Sequence, residues 1–338
     1  MIYTALVYML ISFVIAYFVT PWTKKIAFKR KILDHPSDVK IHERPIPRTG
    51  GIAIVVASMI SMVLFLAFIL EIKIMLLILA MLIIAITGIA DDIKGSTPIQ
   101  KLFRQAIAAF IFAVAYPFIG HFSALFGGFI VFLFVLLVCN AMNLIDGLDG
   151  LAAGLSTIAA LSFVVLGIMK GNFLVIGLST ILVGATLGFL PYNWHPAQVF
   201  MGDTGSLFLG FTLAAISVIL VQKTDFFFEL LIPVVVLGIP LFDIILTIIR
   251  RIIHKKALFE ADLAHSYNLV QGRGLTDKGV VVFYYGLGIL LGICGVLIEY
   301  GRTSNLPVFI VVVTFAIFAY LTIKLGLLAE EKKQNGTD

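Results

Sequence analysis

Long apolar runs separated by short polar segments dominate the pattern of this chain. Apolar residues are continuous within each run rather than alternating with polar ones, so the runs predict helices and not half-buried strands. Most runs are long enough to cross the hydrocarbon core of a bilayer, where a helix satisfies its own backbone hydrogen bonds. We count eleven predicted spans, at residues 3–21, 51–70, 74–90, 104–120, 124–142, 151–169, 174–191, 206–222, 229–249, 280–298 and 306–328.

Composition agrees with this pattern. Of the 338 residues, 61% are hydrophobic and 13% are charged, whereas a soluble domain carries about a quarter charged residues. The first run lacks a basic leading segment and a small-residue cleavage site, so we expect it to be retained. Cys139 and Cys294 lie in apolar runs and are interpreted as small buried side chains. The prediction is an all-α integral membrane protein with a single polytopic domain over residues 1–338.

Basic residues are distributed unevenly between the two predicted faces. With eleven alternating spans, the odd-numbered loops and the C-terminal segment carry 20 of the 24 lysines and arginines. By the positive-inside rule this places the N-terminus outside and the C-terminus in the cytoplasm. The positive net charge is thereby explained without a nucleic-acid partner. The predicted cytoplasmic loops are 22–50, 91–104, 143–150, 192–205 and 250–279.

Five carboxylates lie at or beside predicted span ends on the cytoplasmic face: Asp91, Asp92, Asp146, Asp149 and Asp203. Carboxylates at membrane depth need partners, and the predicted loops 143–150 and 192–205 contain no lysine or arginine. Because hard oxygen ligands suit Mg²⁺, a divalent cation is the predicted partner.

Four of these acids also have a simpler structural interpretation. The Asp91–Asp92 pair could be a solvated helix end, and Asp149 and Asp203 could be N-caps of the spans that follow them.

Glycines flank two of these acids. Gly147 and Gly150 surround Asp149, and Gly202 and Gly205 surround Asp203. Glycine permits sharp turns and close backbone approach, and amides at a helix start can hold a phosphate. Together with a metal, this arrangement predicts phosphoryl-type chemistry on a nucleotide substrate.

Five motifs beside predicted spans carry a resemblance to a known family. They read "KIHERPIPRTGG" (40–51), "DDIKG" (91–95), "NAMNLIDGLDGLAAG" (140–154), "PYNWHPAQVFMGDTGSLFLG" (191–210) and "PLFDIILTIIRR" (240–251). In this order the chain resembles the polyprenyl-phosphate N-acetylhexosamine-1-phosphate transferases, nearly from end to end.

The resemblance implies a reaction. A polyprenyl phosphate in the cytoplasmic membrane attacks the β-phosphate of a UDP-N-acetylamino sugar and releases UMP, with Mg²⁺ required and Mn²⁺ as an alternative ion. Eleven spans and the "PIPRTGG" segment favour the branch that transfers GlcNAc-1-phosphate to undecaprenyl phosphate. The phospho-MurNAc-pentapeptide transferases are the alternative branch. The implied partners are the UDP-sugar, the carrier lipid and the bilayer, and a homodimer is left open.

The resemblance also implies roles for individual residues. Asp203 is the expected metal ligand, with Asn143 beside it. Asp91 and Asp92 match an aspartate pair needed for activity, which we interpret as positioning the carrier phosphate and the metal, since a phosphate monoester needs little deprotonation near neutral pH. The remaining acids near the metal and nucleotide are Asp146 and Asp149.

Further residues are expected to contact substrate. Asn193 and Phe200 match positions that line the nucleotide site, although Phe200 could equally be an aromatic at a span end. Lys94, Lys101 and Arg104 could receive a lipid or nucleotide phosphate, and a headgroup-facing basic stripe is the alternative interpretation. In the first loop, Lys40, His42, Arg44 and Arg48 could close over the substrate or could only set the topology.

The ninth loop departs from the family pattern Asp-Arg-x-His-x-His-His. It reads "DLAHSYN" over residues 262–268, so Asp262 and His265 remain while the arginine and the later histidines are replaced. His265 is predicted to be catalytic, and the departure leaves the sugar open. Asp243, inside a predicted span, is a functional candidate or a partner for a base.

Two other classes of function compete. Intramembrane acids and glycine breaks also occur in ion-coupled transporters, but here the acids lie at one face. The altered ninth loop would suit a binding or assembly protein derived from a transferase, but the intact "DD", "NLIDGLDG" and "GDTGS" segments favour an enzyme.

Overall fold

The computed structural model of this protein describes residues 2–36, 44–67, 71–117, 124–221, 226–255 and 265–324. In those residues the chain forms thirteen helices and one short antiparallel pair of strands, in which Leu33 lies opposite Pro47. The elements are α1 (Ile2–Arg30), β1 (Leu33–Asp34), β2 (Ile46–Pro47), α2 (Gly50–Leu66), α3 (Ile72–Lys94), α4 (Pro98–Ala115), α5 (Ala124–Ile145), α6 (Leu151–Met169), α7 (Phe173–Asn193), α8 (Gly202–Leu220), α9 (Phe226–Val236), α10 (Gly238–Ile253), α11 (Ser266–Gln271), α12 (Asp277–Tyr300) and α13 (Leu306–Lys324).

The helices are those of a multi-pass membrane protein. Eight described helices are long and apolar enough to cross a bilayer, and a bent pair formed by α9 and α10 raises the number to nine. The shorter apolar helices Gly50–Leu66 and Leu306–Thr322 occupy the remaining two predicted runs. Every predicted span therefore falls on a helix or the bent pair, while eleven crossings and their orientation stay predictions.

Some helices extend beyond the predicted spans. Helix α1 continues through Pro21 to Arg30, so the first part of the predicted loop 22–50 is helical. Helix α4 begins at Pro98 with a capping box, in which Thr97 and Gln100 each satisfy the other's backbone amide. The connection between α3 and α4 is consequently short, and it turns Lys101 back toward the end of α3.

The core of the bundle is α8, which is almost wholly buried and packs against α2, α3, α5 and α6. Backbones approach closely because small residues lie at the crossings: a Cβ atom on Gly51 would overlap the backbone of Gly205, and one on Gly88 would overlap Thr204. Such contacts are typical of helix packing in membranes. They bring the end of α3 against the start of α8.

The predicted span 229–249 is not one straight helix. Helices α9 and α10 meet at Leu237 with a bend of 82°. Near the start of α9, buried Glu229 lies 3.4 Å from Lys170 at the end of α6 and 3.0 Å from Arg302 after α12. Lys170 also lies 3.4 Å from Glu299. This ion cluster ties three helices together at the end of the bundle opposite the acids.

Candidate functional site

The end of α3 supplies the cap for the start of α8. Asp92 Oδ1 accepts a hydrogen bond from the Asp203 amide at 2.9 Å, and Oδ2 accepts from the Thr204 amide and hydroxyl at 3.0 and 2.6 Å. A carboxylate at a helix N-terminus satisfies exposed amides and complements the helix dipole. The alternative interpretation of Asp203 as the N-cap of α8 is wrong, and these two amides hold Asp92 rather than being open to a phosphate.

Gly202 makes this junction possible. It has a φ of +67°, and a Cβ atom would lie 2.7 Å from both Asp92 carboxylate oxygens. Only glycine fits such a backbone without strain. The segment before α2 braces the same junction, because the Gly51 amide donates to the Met201 carbonyl at 2.8 Å and the Phe200 amide donates to the Pro47 carbonyl at 2.8 Å.

Three side chains converge on the ammonium group of Lys101. Its Nζ lies 2.5 Å from Asp203 Oδ2, 3.0 Å from Asn143 Oδ1 and 3.4 Å from Asp91 Oδ2. Asn143 Nδ2 in turn donates to Asp203 Oδ1 at 2.7 Å and to Ser206 Oγ at 2.9 Å. The site therefore presents two carboxylates and an amide oxygen to one cation. We call Asp91, Lys101, Asn143 and Asp203 the cation cluster.

The chemistry of the cation cluster fits Mg²⁺. The described residues contain no group of three or more His, Cys, Asp or Glu side chains placed to hold a metal. A magnesium ion does not require such a group, because it usually takes one or two carboxylates and completes its shell with water and substrate phosphates. Asp203, Asp91 and the Asn143 carbonyl oxygen are the groups suited to hold it.

The acids have a basic partner that the loops 143–150 and 192–205 do not contain. The sequence showed no base within the loops that carry them, but the α3–α4 turn brings Lys101 from another loop.

The turn between α5 and α6, residues 146–150, carries the other two acids; we call it the acidic turn. Asp149 Oδ2 accepts from the Ala197 amide at 2.9 Å and lies 3.0 Å from His195 Nδ1. The N-cap of α6 is Gly150, in a left-handed conformation. The alternative interpretation of Asp149 as the N-cap of α6 is therefore wrong, since its carboxylate holds the loop that precedes α8.

Asn193 lies behind the acidic turn. It is buried, accepts from the Gly150 amide at 3.1 Å and donates to the Val199 carbonyl at 3.0 Å. Both ends of its amide group are thus used to join the acidic turn to the loop before α8. His195, in the loop before α8, is a side-chain partner of Asp149.

Asp146 lies where the ionised form of its carboxyl group is unfavourable. Burial raises the pKa of its carboxyl group well above the usual range, and the charges of Asp203, Asp92 and Asp149 add to the shift while Arg48 opposes it. Carboxylates crowded in this way favour protonation or a bound cation.

The other predicted contact residues belong to neither the cation cluster nor the acidic turn. Arg48 lies 3.6 Å from Asp34, Arg104 donates to Ser96 Oγ at 3.0 Å, and Lys94 is exposed at the end of α3. The Phe200 side chain is half-buried. Three predicted residues lie outside the described residues: Lys40, His42 and Asp262.

The ninth loop reaches the site through α11. His265 precedes this helix, and its Nδ1 lies 3.1 Å from Asp243 Oδ2 of α10. The hydroxyl group of Tyr267 lies over the Cα atom of Gly147, where a Cβ atom would overlap it. Tyr267 occupies a position where the family pattern has a histidine, and its side chain contacts the acidic turn.

Comparison with known proteins identifies the family. Residues 74–221 match the model of Glycosyl transferase family 4. The chain is also 33% identical over 336 residues to the probable undecaprenyl-phosphate N-acetylglucosaminyl 1-phosphate transferase of Bacillus subtilis (strain 168), covering 96% of this chain and 93% of that protein. The chain belongs to glycosyl transferase family 4.

This family 4 chain is similar to members of a second branch as well. It is 34% identical over 326 residues to the phospho-N-acetylmuramoyl-pentapeptide-transferase of Bacillus anthracis, covering 87% of this chain and 96% of that protein. The protein of the same name from Bacillus velezensis is 32% identical over 327 residues, covering 88% of this chain and 97% of its own. The resemblance noted in the sequence is confirmed, and the family is one of polyprenyl-phosphate sugar-1-phosphate transferases.

Proposed function

We propose that this protein transfers GlcNAc-1-phosphate from UDP-GlcNAc to undecaprenyl phosphate at the cytoplasmic face of the inner membrane. An oxygen of the lipid phosphate forms a new bond to the β-phosphorus of the UDP-sugar. The bond from that phosphorus to the oxygen shared with the α-phosphate breaks, and UMP leaves with the oxygen and its electron pair. The product, undecaprenyl-pyrophosphoryl-GlcNAc, would begin a cell-envelope glycan pathway.

The cation cluster is the observation that carries the proposal. Two carboxylates and an amide oxygen directed at one cation are suited to a diphosphate substrate that arrives with Mg²⁺. When bound, Mg²⁺ would supply Lewis-acid stabilisation of negative charge on the phosphoryl oxygens. Asp203, Asp91 and Asn143 would hold it, and Mn²⁺ is the alternative ion.

The residues of the chain then have distinct tasks. Asp92 fixes the start of α8 and with it the direction of Asp203. Lys101, once another cation takes its place between the carboxylates, can donate to a phosphate oxygen, and exposed Lys94 is suited to a phosphate arriving from the membrane surface. Positioning of two phosphates by fixed charges, rather than base catalysis, is the main contribution we assign to these side chains.

The experiment measures UMP release by the purified full chain with undecaprenyl phosphate, Mg²⁺ and a panel of UDP-sugars. We expect release with UDP-GlcNAc that stops when the divalent ion is chelated. Asp203→Asn should lower turnover at least about 100-fold, the upper range for loss of a group that supports a metal, in protein that still unfolds cooperatively. Glu71→Gln, an exposed carboxylate at the far end of α3, is the matched control and should leave turnover unchanged.

Well-folded protein that released no UMP with any sugar would overturn the enzymatic proposal. Full activity of Asp203→Asn would overturn the assigned metal ligand. The 34% identity to a phospho-N-acetylmuramoyl-pentapeptide-transferase supports the second branch as the alternative, so UDP-MurNAc-pentapeptide belongs in the panel. UMP release with that substrate alone would assign the chain to the second branch.

A further inference from the structure

A buried carboxylate in the bent span holds the start of α11. Asp243 is 1% exposed, and both of its oxygens are engaged: Oδ1 accepts from the Ser266 amide at 2.8 Å, and Oδ2 lies 3.1 Å from His265 Nδ1. A carboxylate at membrane depth is retained only where partners and a task compensate for its desolvation. Here its partners are the first two residues of the segment that leads to the acidic turn.

The contact defines the tautomer of His265. An ionised carboxylate only accepts hydrogen bonds, so the proton of a neutral imidazole in this position lies on Nδ1. The lone pair is then on Nε2, on the opposite edge of the ring. Carboxylates that orient functional histidines in other sites act in this way.

Two further contacts fix the same segment. The Tyr284 hydroxyl of α12 donates to Ser266 Oγ at 2.8 Å. The rings of His265 and Tyr267 are stacked, with centroids 5.4 Å apart and an interplanar angle of 10°. An orientation imposed on His265 is therefore passed to Tyr267 by direct packing.

Tyr267 connects His265 to the acidic turn. Its hydroxyl group lies over Gly147, the residue that follows Asp146. Burial raises the pKa of the phenol, with Asp243 and Asp146 adding to the shift, so the group stays protonated and can donate a hydrogen bond. A neutral donor at this place lies beside Asp146 of the acidic turn.

We propose that Asp243 is a positioning residue of the transferase site, which fixes the tautomer of His265 and, through the stacked rings, the place of Tyr267 on the acidic turn. This inference rests on the proposed function. It adds a residue of the bent span to the site and explains why a carboxylate lies in an apolar helix.

A double-mutant cycle on UMP release tests it. Asp243→Asn should lower kcat about 10- to 100-fold, by analogy with carboxylates that orient metal-bound histidines, while KM for the UDP-sugar changes little. If Asp243 acts through His265, the double variant Asp243→Asn/His265→Gln should be no slower than His265→Gln alone. Thr247→Val is the matched control, since Thr247 is one turn along α10, equally buried and without a hydrogen-bonding partner for its hydroxyl among the described residues. It should retain wild-type kcat.

A second measurement does not depend on activity. Nitrogen-15 NMR of histidine-labelled protein, with His265 assigned from the His265→Gln spectrum, should show the Nδ1–H tautomer in the wild type and its loss in Asp243→Asn. An Nε2–H tautomer in the wild type would overturn the proposal even if Asp243→Asn failed to fold. The proposal would also be overturned if the losses of kcat in Asp243→Asn and His265→Gln multiplied in the double variant. Absence of UMP release from the wild type would instead reject the proposed reaction, and the tautomer would still decide the orientation of His265.

Discussion

At the scale of single residues, two side chains that were expected to contact substrate bind the protein's own backbone instead. Asp92 and Asn193 both belong to motifs expected to contact substrate, yet each satisfies backbone amides at the start of a helix. Their polar atoms are engaged within the protein, which fixes the groups beside them. Lys101, Asn143 and Asp203 form the part of the site whose donors and acceptors meet at one point.

Asp146 gives a prediction about pH. A carboxyl group with a pKa above its unfolded value binds its proton more tightly in the folded state, so folding stability falls as the pH rises through that range. Asp146→Asn removes the ionisation, and we expect a melting temperature a few degrees above wild type near neutral pH. The two proteins should melt alike in acid, below the usual aspartate range, and the difference should widen as the pH rises.

The measurement is a series of thermal melts without Mg²⁺ or UDP-sugar, since either ligand would stabilise the charged form. Glu71→Gln serves as an exposed-carboxylate control and should follow the wild type. A difference that narrowed with rising pH would contradict the assignment of strain to Asp146.

At the scale of helices, the ion cluster around Glu229 joins the ends of α6, α9 and α12. Lys170 and Glu229 are almost fully buried, with side chains 3% and 1% exposed. Removing one partner of a buried pair leaves an uncompensated charge, which destabilises a protein by about 3 to 5 kcal/mol.

We therefore expect Lys170→Met to lower the free energy of unfolding by about that amount. The variant removes the ammonium group that lies beside both Glu229 and Glu299, and it leaves Glu229 with Arg302. Lys73→Met is the matched control because Lys73 is exposed at the start of α3, and surface substitutions usually change stability by no more than about 0.5 kcal/mol. Chemical unfolding in detergent measures both variants, and equal losses would show that the cluster is not a structural tie.

The helices themselves were predictable, whereas their junctions were not. Apolar run length is a local property, so every predicted span coincides with a helix or with the bent pair. The 82° bend at Leu237 lies inside a uniformly apolar run, and hydropathy alone does not predict where a helix bends. The caps from Asp92 and Asn193 depend on residues distant in the chain, which no local pattern contains.

At the scale of the whole molecule, the five acids lie at one end of the bundle because α3, α5 and α8 pack side by side. The motifs that carry them predicted the family correctly. The sequence could not show that Lys101 contacts Asp203 or that Tyr267 contacts the acidic turn, since both contacts arise from helix packing.

The proposed orientation predicts which end of α3 is accessible from outside the cell. Lys73 and Lys94 are exposed at opposite ends of α3, and Lys94 adjoins Asp91 and Asp92. With the N-terminus outside, the positive-inside rule places Lys94 in the cytoplasm and Lys73 outside. In a Cys294→Ala background, which leaves only the buried Cys139, an impermeant maleimide added to intact cells should label Lys73→Cys and leave Lys94→Cys unlabelled until the membrane is opened. The reverse pattern would place the acids outside, away from cytoplasmic UDP-sugars, and would contradict both the topology and the proposed reaction.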